Sequence, residues 1–309
     1  MGMNLSTVDV FKHIDSEQCL TLSDDQLSAL QDVMRGILFD IVDVCEAHGL
    51  RYSMGGGSAL GAVRHQDMIP WDDDIDLNMP RRDYERFVEI FAKEHGDRYW
   101  VHTPAKTDNY GLLLARVRRK GTYVKTREDF WTDECGAFVD IFIVENVPDA
   151  AWLRKLHGLG CMAFGLALSC RKFFRDRKPL MELAKGNKEL ERVFRVKIAL
   201  GFVTALLSIN AWTRLADKWN GMCRNEQSRY VSIPVGRKHY FKETYRREEI
   251  CSYQMLPFHG RRVSCVADTK TYMTRLYGAD YMTPPKDADK EKHVFLTPFD
   301  LGGQKGEEA

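Results

Sequence analysis

The stretch GGGSALGAVRHQDMIPWDDDID, residues 55–76, decides how this chain is read. It runs as a glycine turn, a short helix, a connector and an acidic strand. Side chains alternate faces along an extended chain, so Asp72, Asp74 and Asp76 are expected on one side. Asp73, Ile75 and Leu77 are expected on the other, the last two as anchors in a core. Three carboxylates on one face repel each other, which costs free energy unless a cation sits among them. An all-oxygen ligand set suits a hard ion, Mg²⁺ or Mn²⁺. Glycines ahead of a helix do a different job. They let backbone approach a ligand, and the free amides at the helix start attract phosphate. Gly56, Gly57 and Ser58 are therefore candidate phosphate contacts. Either feature alone is more often a solvated turn or a flexible loop. In this order they make a cradle for a nucleotide diphosphate and its metal.

On the N-terminal side, Ser23 and Gln26 form a capping box. Leu27, Leu30, Met34, Ile37, Ile41 and Cys45 follow at helical spacing, and the helix ends near Gly49. Residues 50–54 are a short strand that delivers the glycine turn. On the C-terminal side the chain turns at Pro80 into a helix with Tyr84, Phe87, Val88 and Phe91 on its apolar stripe, ended by Gly96. Arg81 and Arg82 follow the acidic strand, either solvated or set against phosphate. Residues 99–103, 112–118 and 121–125 read as short strands. In the second of these, Leu114, Arg116 and Arg118 share one face, and the arginines either reach a diphosphate or face solvent.

Residues 136–144, GAFVDIFIV, form a nearly continuous apolar strand with Asp140 in its middle. An unpaired buried carboxylate is costly, so Asp140 is expected to meet a cation, either a metal or an arginine. Residues 148–226 read as helical. Their two apolar tracts, 158–170 and 198–212, are each shorter than the roughly 20 residues a membrane span needs. A basic linker, 171–178, separates them. Core helices are the expectation here, with shallow insertion into an anionic leaflet as the alternative. Residues 230–235 read as a strand and 255–266 as a hairpin. Asp268 caps a helix over 269–277 that Gly278 ends. The polar tail is expected to be disordered.

The runs Leu60-Gly61-Ala62-Val63-Arg64-His65, Ile69-Pro70-Trp71-Asp72-Asp73-Asp74-Ile75-Asp76 and Met79-Pro80-Arg81-Arg82-Asp83-Tyr84 resemble the LicD family. So do the G-x-x-V-D-I-F run from Gly136 to Phe142 and the later run 276–282 with Pro284, Pro285 and His293. The likeness covers nearly the whole chain. It implies a nucleotidyltransferase-like α+β fold, a mixed sheet with flanking helices and a helical insertion. On that pattern 1–24 is an N-terminal extension and 25–147 the catalytic core. Residues 148–226 are then the helical region, 227–300 the strands and helix that complete the domain, and 301–309 the tail.

The family includes bacterial phosphocholine transferases of surface glycans and, more distantly, fukutin-type ribitol-phosphate transferases. The implied activity is metal-dependent transfer of a phospho-alcohol, phosphocholine first, from a CDP-alcohol such as CDP-choline. The acceptor is a sugar hydroxyl of a cell-surface glycan or its lipid-linked precursor, and CMP leaves. The resemblance makes Asp140 the third acidic residue of the site. The implied metal ligands are Asp72, Asp74, Asp76 and Asp140, with Asp74, Asp76 and Asp140 as the catalytic set and Asp140 as general base. Gly56, Gly57, Ser58 and Arg64 are implied to hold the donor phosphates. Trp71, Tyr123, Phe130 and Trp131 are aromatic candidates for a quaternary ammonium, and His65 and His293 for phosphate. For each of these six, a packing or surface role is the other reading. Competing readings are nucleotidyl transfer from an NTP to a protein or small molecule, and a non-catalytic scaffold.

Composition narrows the rest. The 309 residues carry a net charge of +1 and no basic run with interleaved aromatics, so nucleic acid is not an expected partner. Eight cysteines lack CxxC or zinc spacing and read as reduced thiols. Residues 1–15 have neither a basic start nor an apolar centre, so they do not read as a signal peptide, and Met1-Gly2 is a poor myristoylation match. The expectation is a cytoplasmic enzyme, at most peripheral at the inner face of the plasma membrane.

Overall fold

The computed structural model of the protein describes residues 19–286 and 294–302. The expected N-terminal extension, His293 and the tail therefore fall largely or wholly outside the described residues. After a short strand β1 (Cys19–Leu20), helix α1 (Asp24–His48) starts on a capping box. Gln26 N donates to Ser23 Oγ at 3.2 Å, and Ser23 N donates to Gln26 Oε1 at 3.0 Å. Gly49, at φ 61°, ends it in the left-handed conformation that glycine adopts without strain. Its stripe of Leu30, Met34, Ile37, Leu38, Ile41 and Cys45 is buried in the main core.

The chain then lays down β2 (Ser53–Met54), α2 (Gly56–Arg64), β3 (Asp76–Pro80) and α3 (Arg81–His95). Strands β4 (Tyr99–His102), β5 (Ala115–Arg119), β6 (Tyr123–Thr126) and β7 (Phe138–Val147) follow. The central sheet runs β2-β3-β7-β5-β4, and β8 (Tyr230–Ser232) and β9 (Thr244–Arg246) extend it from β7. It is mixed: β3 and β7 are parallel, and the other described pairs are antiparallel. A parallel pair needs a long crossover. Here α3, β4, β5 and β6 provide it, and it sets Asp76 beside Asp140 in register.

Helices α4 (Ala151–Arg175), α5 (Arg177–Leu183), α6 (Lys188–Thr204) and α7 (Ile209–Asn220) form the helical segment. α7 runs back along α4: Trp219 Nε1 donates to His157 O at 2.9 Å, and Trp212 meets Phe164 at 6.3 Å. α6 crosses the far end of α4, where Phe173 and Phe194 pack at 5.1 Å. Short helices α8 (His239–Lys242) and α9 (Arg247–Ile250) lead to the hairpin β10 (Tyr253–Phe258) and β11 (Arg261–Val266). Helix α10 (Thr269–Tyr277) is capped by Asp268, as expected, and β12 (Phe295–Asp300) joins β1 and β6 in a second, three-stranded sheet.

Two expectations need correction. The acidic strand begins only at Asp76. Residues 72–75 are an irregular lead-in, preceded by a turn at Pro70 and Trp71 that the Asp72 N to Ile69 O bond closes at 2.9 Å. The apolar tracts of the helical segment are also only partly core. Leu159, Met162, Leu166, Leu200, Phe202, Val203 and Leu206 are exposed.

Candidate active site

The glycine turn and the acidic segment are stitched together through the backbone of Asp76. Gly55 N donates to Asp76 O at 2.8 Å, and Asp76 N donates to Ser58 Oγ at 2.8 Å. Ser58, 3% exposed, thus holds protein where a phosphate contact was expected. Gly56 has φ 43°, a conformation that strains any residue with a Cβ. A Cβ on Gly57 would lie 2.7 Å from Asp72 Oδ2, so the turn and the carboxylate can meet only because this residue is glycine. Behind them Gln31 Nε2, from α1, donates to Asp72 O at 2.8 Å and fixes the lead-in.

Burial still alternates through the lead-in, with Asp73 buried and Asp72 and Asp74 half-buried, yet the Asp73 carboxylate stays close to its neighbours. Asp72, Asp73 and Asp74 each bring a carboxylate oxygen within 4.8 Å of the others. Together with Asp76, Gly56 and Gly57 they line a cleft of about 450 Å³, within the size range of small-molecule and cofactor sites. The donor set is all oxygen and anionic, which fits Mg²⁺ or Mn²⁺.

The opposite wall contains Arg116, one of the two arginines read as able to reach a diphosphate, and several residues that the sequence reading left out. Arg116 lines the cleft and donates from Nε and Nη2 to the two carboxylate oxygens of Asp140, both at 2.7 Å. Of the two cations open to Asp140, the structure supplies the arginine. Asp140 lies next to Asp76 in register, yet its carboxylate is turned to the neighbouring antiparallel strand. Arg127, Glu128, Arg237, Glu243, Tyr272 and Tyr277 are among the other lining residues. Glu128 pairs with Lys172 of α4. Burial opposes its ionisation, but Lys172 and Arg127 outweigh that and hold its carboxyl well below the usual range. Glu243 is 2% exposed, and burial pushes its carboxyl up to about 7 although Lys238 N donates to it at 2.6 Å. Tyr272 Oη accepts from Gly56 N at 3.3 Å and Asn78 Nδ2 at 3.0 Å, tying α10 to the glycine turn. The C-terminal run around Leu276 and Tyr277 carried a usable signal for this wall, because it belongs to the LicD-like pattern.

Other candidates are engaged elsewhere. Arg64 donates to His65 Nε2 at 2.9 Å and to Tyr281 O at 3.1 Å and lies over Trp71, so it closes the end of α2. Arg118, fully buried, pairs with Asp129 instead of facing phosphate or solvent. Arg81 pairs with Glu145 and Asp217 and ties β7 to α7. Trp131 packs on Tyr110 and His102, and Phe130 joins the helical-segment core. The aromatic rings at the cleft are those of Phe142, Tyr272 and Tyr277.

Residues 49–157 match the family described as LicD/FKTN/FKRP, nucleotidyltransferase domain. Residues 49–157 thus carry a LicD-type domain, and most of the chain is similar to a LicD transferase. Among its relatives, the lipopolysaccharide cholinephosphotransferase LicD of Haemophilus influenzae is 27% identical over 284 residues, covering 89% of this chain and 96% of that protein. Ribitol 5-phosphate transferase FKRP of Homo sapiens is 43% identical over 70 residues, covering 23% of this chain and 13% of that protein. An uncharacterized protein of Rickettsia prowazekii is 33% identical over 128 residues, 47% of its length.

Proposed function

We propose that this protein transfers a phospho-alcohol, phosphocholine first, from a CDP-alcohol to a sugar hydroxyl of a cell-surface glycan or its lipid-linked precursor, releasing CMP. The observation that carries this is the meeting, in one cleft, of the Gly56–Gly57 helix start and the carboxylates of Asp72, Asp73, Asp74 and Asp76. The end-to-end similarity to a lipopolysaccharide cholinephosphotransferase supports the donor class.

Phosphoryl transfer needs charge neutralised and the two reacting oxygens held in line. Mg²⁺ or Mn²⁺ held by the acidic cluster would supply that neutralisation and acidify an acceptor hydroxyl. The chain's own residues do the positioning. The Gly55 and Gly56 amides are given to Asp76 and Tyr272, so Gly57, at the cleft, would offer its helix-start amide to a donor phosphate. Arg116, aimed by Asp140, adds a cation on the far wall. The reading implies a cytoplasmic enzyme working at the inner face of the plasma membrane. Thermal melting with Mg²⁺ and a panel of CDP-choline, CDP-ethanolamine, CDP-ribitol, CTP and ATP tests it, because a ligand that binds the folded state raises Tm. A metal-dependent shift selective for a CDP-alcohol is the expected result. A shift with ATP or CTP alone would replace phospho-alcohol transfer with nucleotidyl transfer.

A further inference from the structure

The helical segment carries a surface that the cleft does not use. Along α4, Trp152, Leu156, Leu159 and Leu166 are exposed, at spacings that place them on one face of the helix. At the elbow between α6 and α7, Phe202, Val203 and Leu206 are 70%, 66% and 88% exposed. The elbow is pinned to the same helix: Arg171 Nε donates to Leu207 O at 3.1 Å, and Gly201 lies against Cys170. It therefore sits within about two turns of Leu166 along α4. An apolar area of this kind on a folded protein marks a site of contact.

Charge says what the contact is with. Residues 151–220 hold fourteen Lys and Arg against five Asp and Glu, in a chain whose net charge is only +1. Basic charge is thus concentrated in the segment that exposes the apolar face, and Lys155 rises from the α4 stripe itself, one turn before Leu159. An apolar face on a basic segment matches the boundary between headgroups and acyl chains in an anionic leaflet, although Lys172 and the buried Lys197 are among the fourteen and point inward. A second copy fits less well, since two equally basic faces repel each other. Among the described residues no single helix is long and apolar enough to cross a membrane. α6 and α7 pass that test only together, bent by 90° at their break.

We propose that the outer stripe of α4 and the α6–α7 elbow dock on an anionic lipid bilayer, lying on it without spanning it. The proposal stands apart from the catalytic reading, although the two meet in α4, whose Lys172 pairs with Glu128 of the cleft. Co-sedimentation of the full chain with vesicles tests it, using phosphatidylcholine alone or mixed with phosphatidylglycerol. The protein should sediment with the mixed vesicles and release as salt rises. A combined Trp152→Ser, Phe202→Ser, Leu206→Ser variant should bind at least about tenfold more weakly. All three side chains are exposed, so its melting curve should match the wild type. Wild-type protein that ignores anionic vesicles, or a variant that binds them equally well, would overturn the proposal. So would a concentration-dependent dimer that the three substitutions abolish. None of these outcomes touches the nucleotide-induced melting shift, so the two claims fail separately.

Discussion

The two walls of the cleft handle charge in opposite ways. On one wall Asp72, Asp73, Asp74 and Asp76 gather like charges within a few residues. On and behind the other, buried charges are matched by opposite ones: Arg116 with Asp140, Arg118 and more distantly Arg116 with Asp129, and Glu128 with Lys172 and Arg127. A matched buried pair belongs to the fold, because removing one partner strands the other in low dielectric. A gathered like-charge cluster carries mutual repulsion that a bound cation relieves.

The comparison predicts effects of different size. Arg118→Ala should cost the most stability, about 3 kcal/mol in chemical denaturation, because it leaves the 1% exposed Asp129 with its remaining cation, Arg116, only at 3.9 Å. A loss below about 1 kcal/mol would mean that the matched wall is not holding the fold. Glu243 is an intermediate case, a buried carboxyl without a full-strength partner. Its carboxyl rises from the ordinary 4.5 to about 7 through burial, against the pull of Lys238 and Arg237. Between those values the folded state keeps a proton that the unfolded state has lost. Stability from this group is therefore present below pH 4.5, falls as pH climbs through the window, and levels off above about 7. Glu243→Gln should flatten the pH dependence of unfolding by up to about 3 kcal/mol across that window, and an unchanged slope relative to wild type would refute it. The smallest effect belongs to the acidic wall. Asp74→Asn should leave stability within about 1 kcal/mol of wild type or raise it, since it relieves repulsion.

The same contrast explains what the sequence made legible. The acidic wall is local: a turn, a helix start and four aspartates within 22 consecutive residues, so composition and order alone expose it. The capping box of α1, the Pro80 start of α3 and the Asp268 cap of α10 are local in the same sense, and each forms where expected. The matched wall is not local. Arg116 meets Asp140 because β5 and β7 pair antiparallel, and Tyr272 reaches Gly56 across more than two hundred residues. Alternation along a strand could say that Arg116 and Arg118 share a face. It could not say that the face is buried against acids from other segments. Asp73 is buried as the period-two rule expects, but that rule gives the side of the chain and not how near adjacent carboxylates come to one another. For the helical tracts the sequence leaves core packing and surface insertion both open, because apolar content alone does not show which side of a helix has a neighbour.

The central claim is that the acidic wall holds a divalent cation that brings the donor diphosphate to the glycine turn. Its most direct test is the electron paramagnetic resonance signal of Mn²⁺ titrated into wild type and Asp74→Asn, with and without CDP-choline. The account predicts that wild type removes Mn²⁺ from the free pool, more so with CDP-choline present, and that the folded variant does not. Equal Mn²⁺ binding by the two proteins, or none by wild type with the nucleotide present, would contradict it.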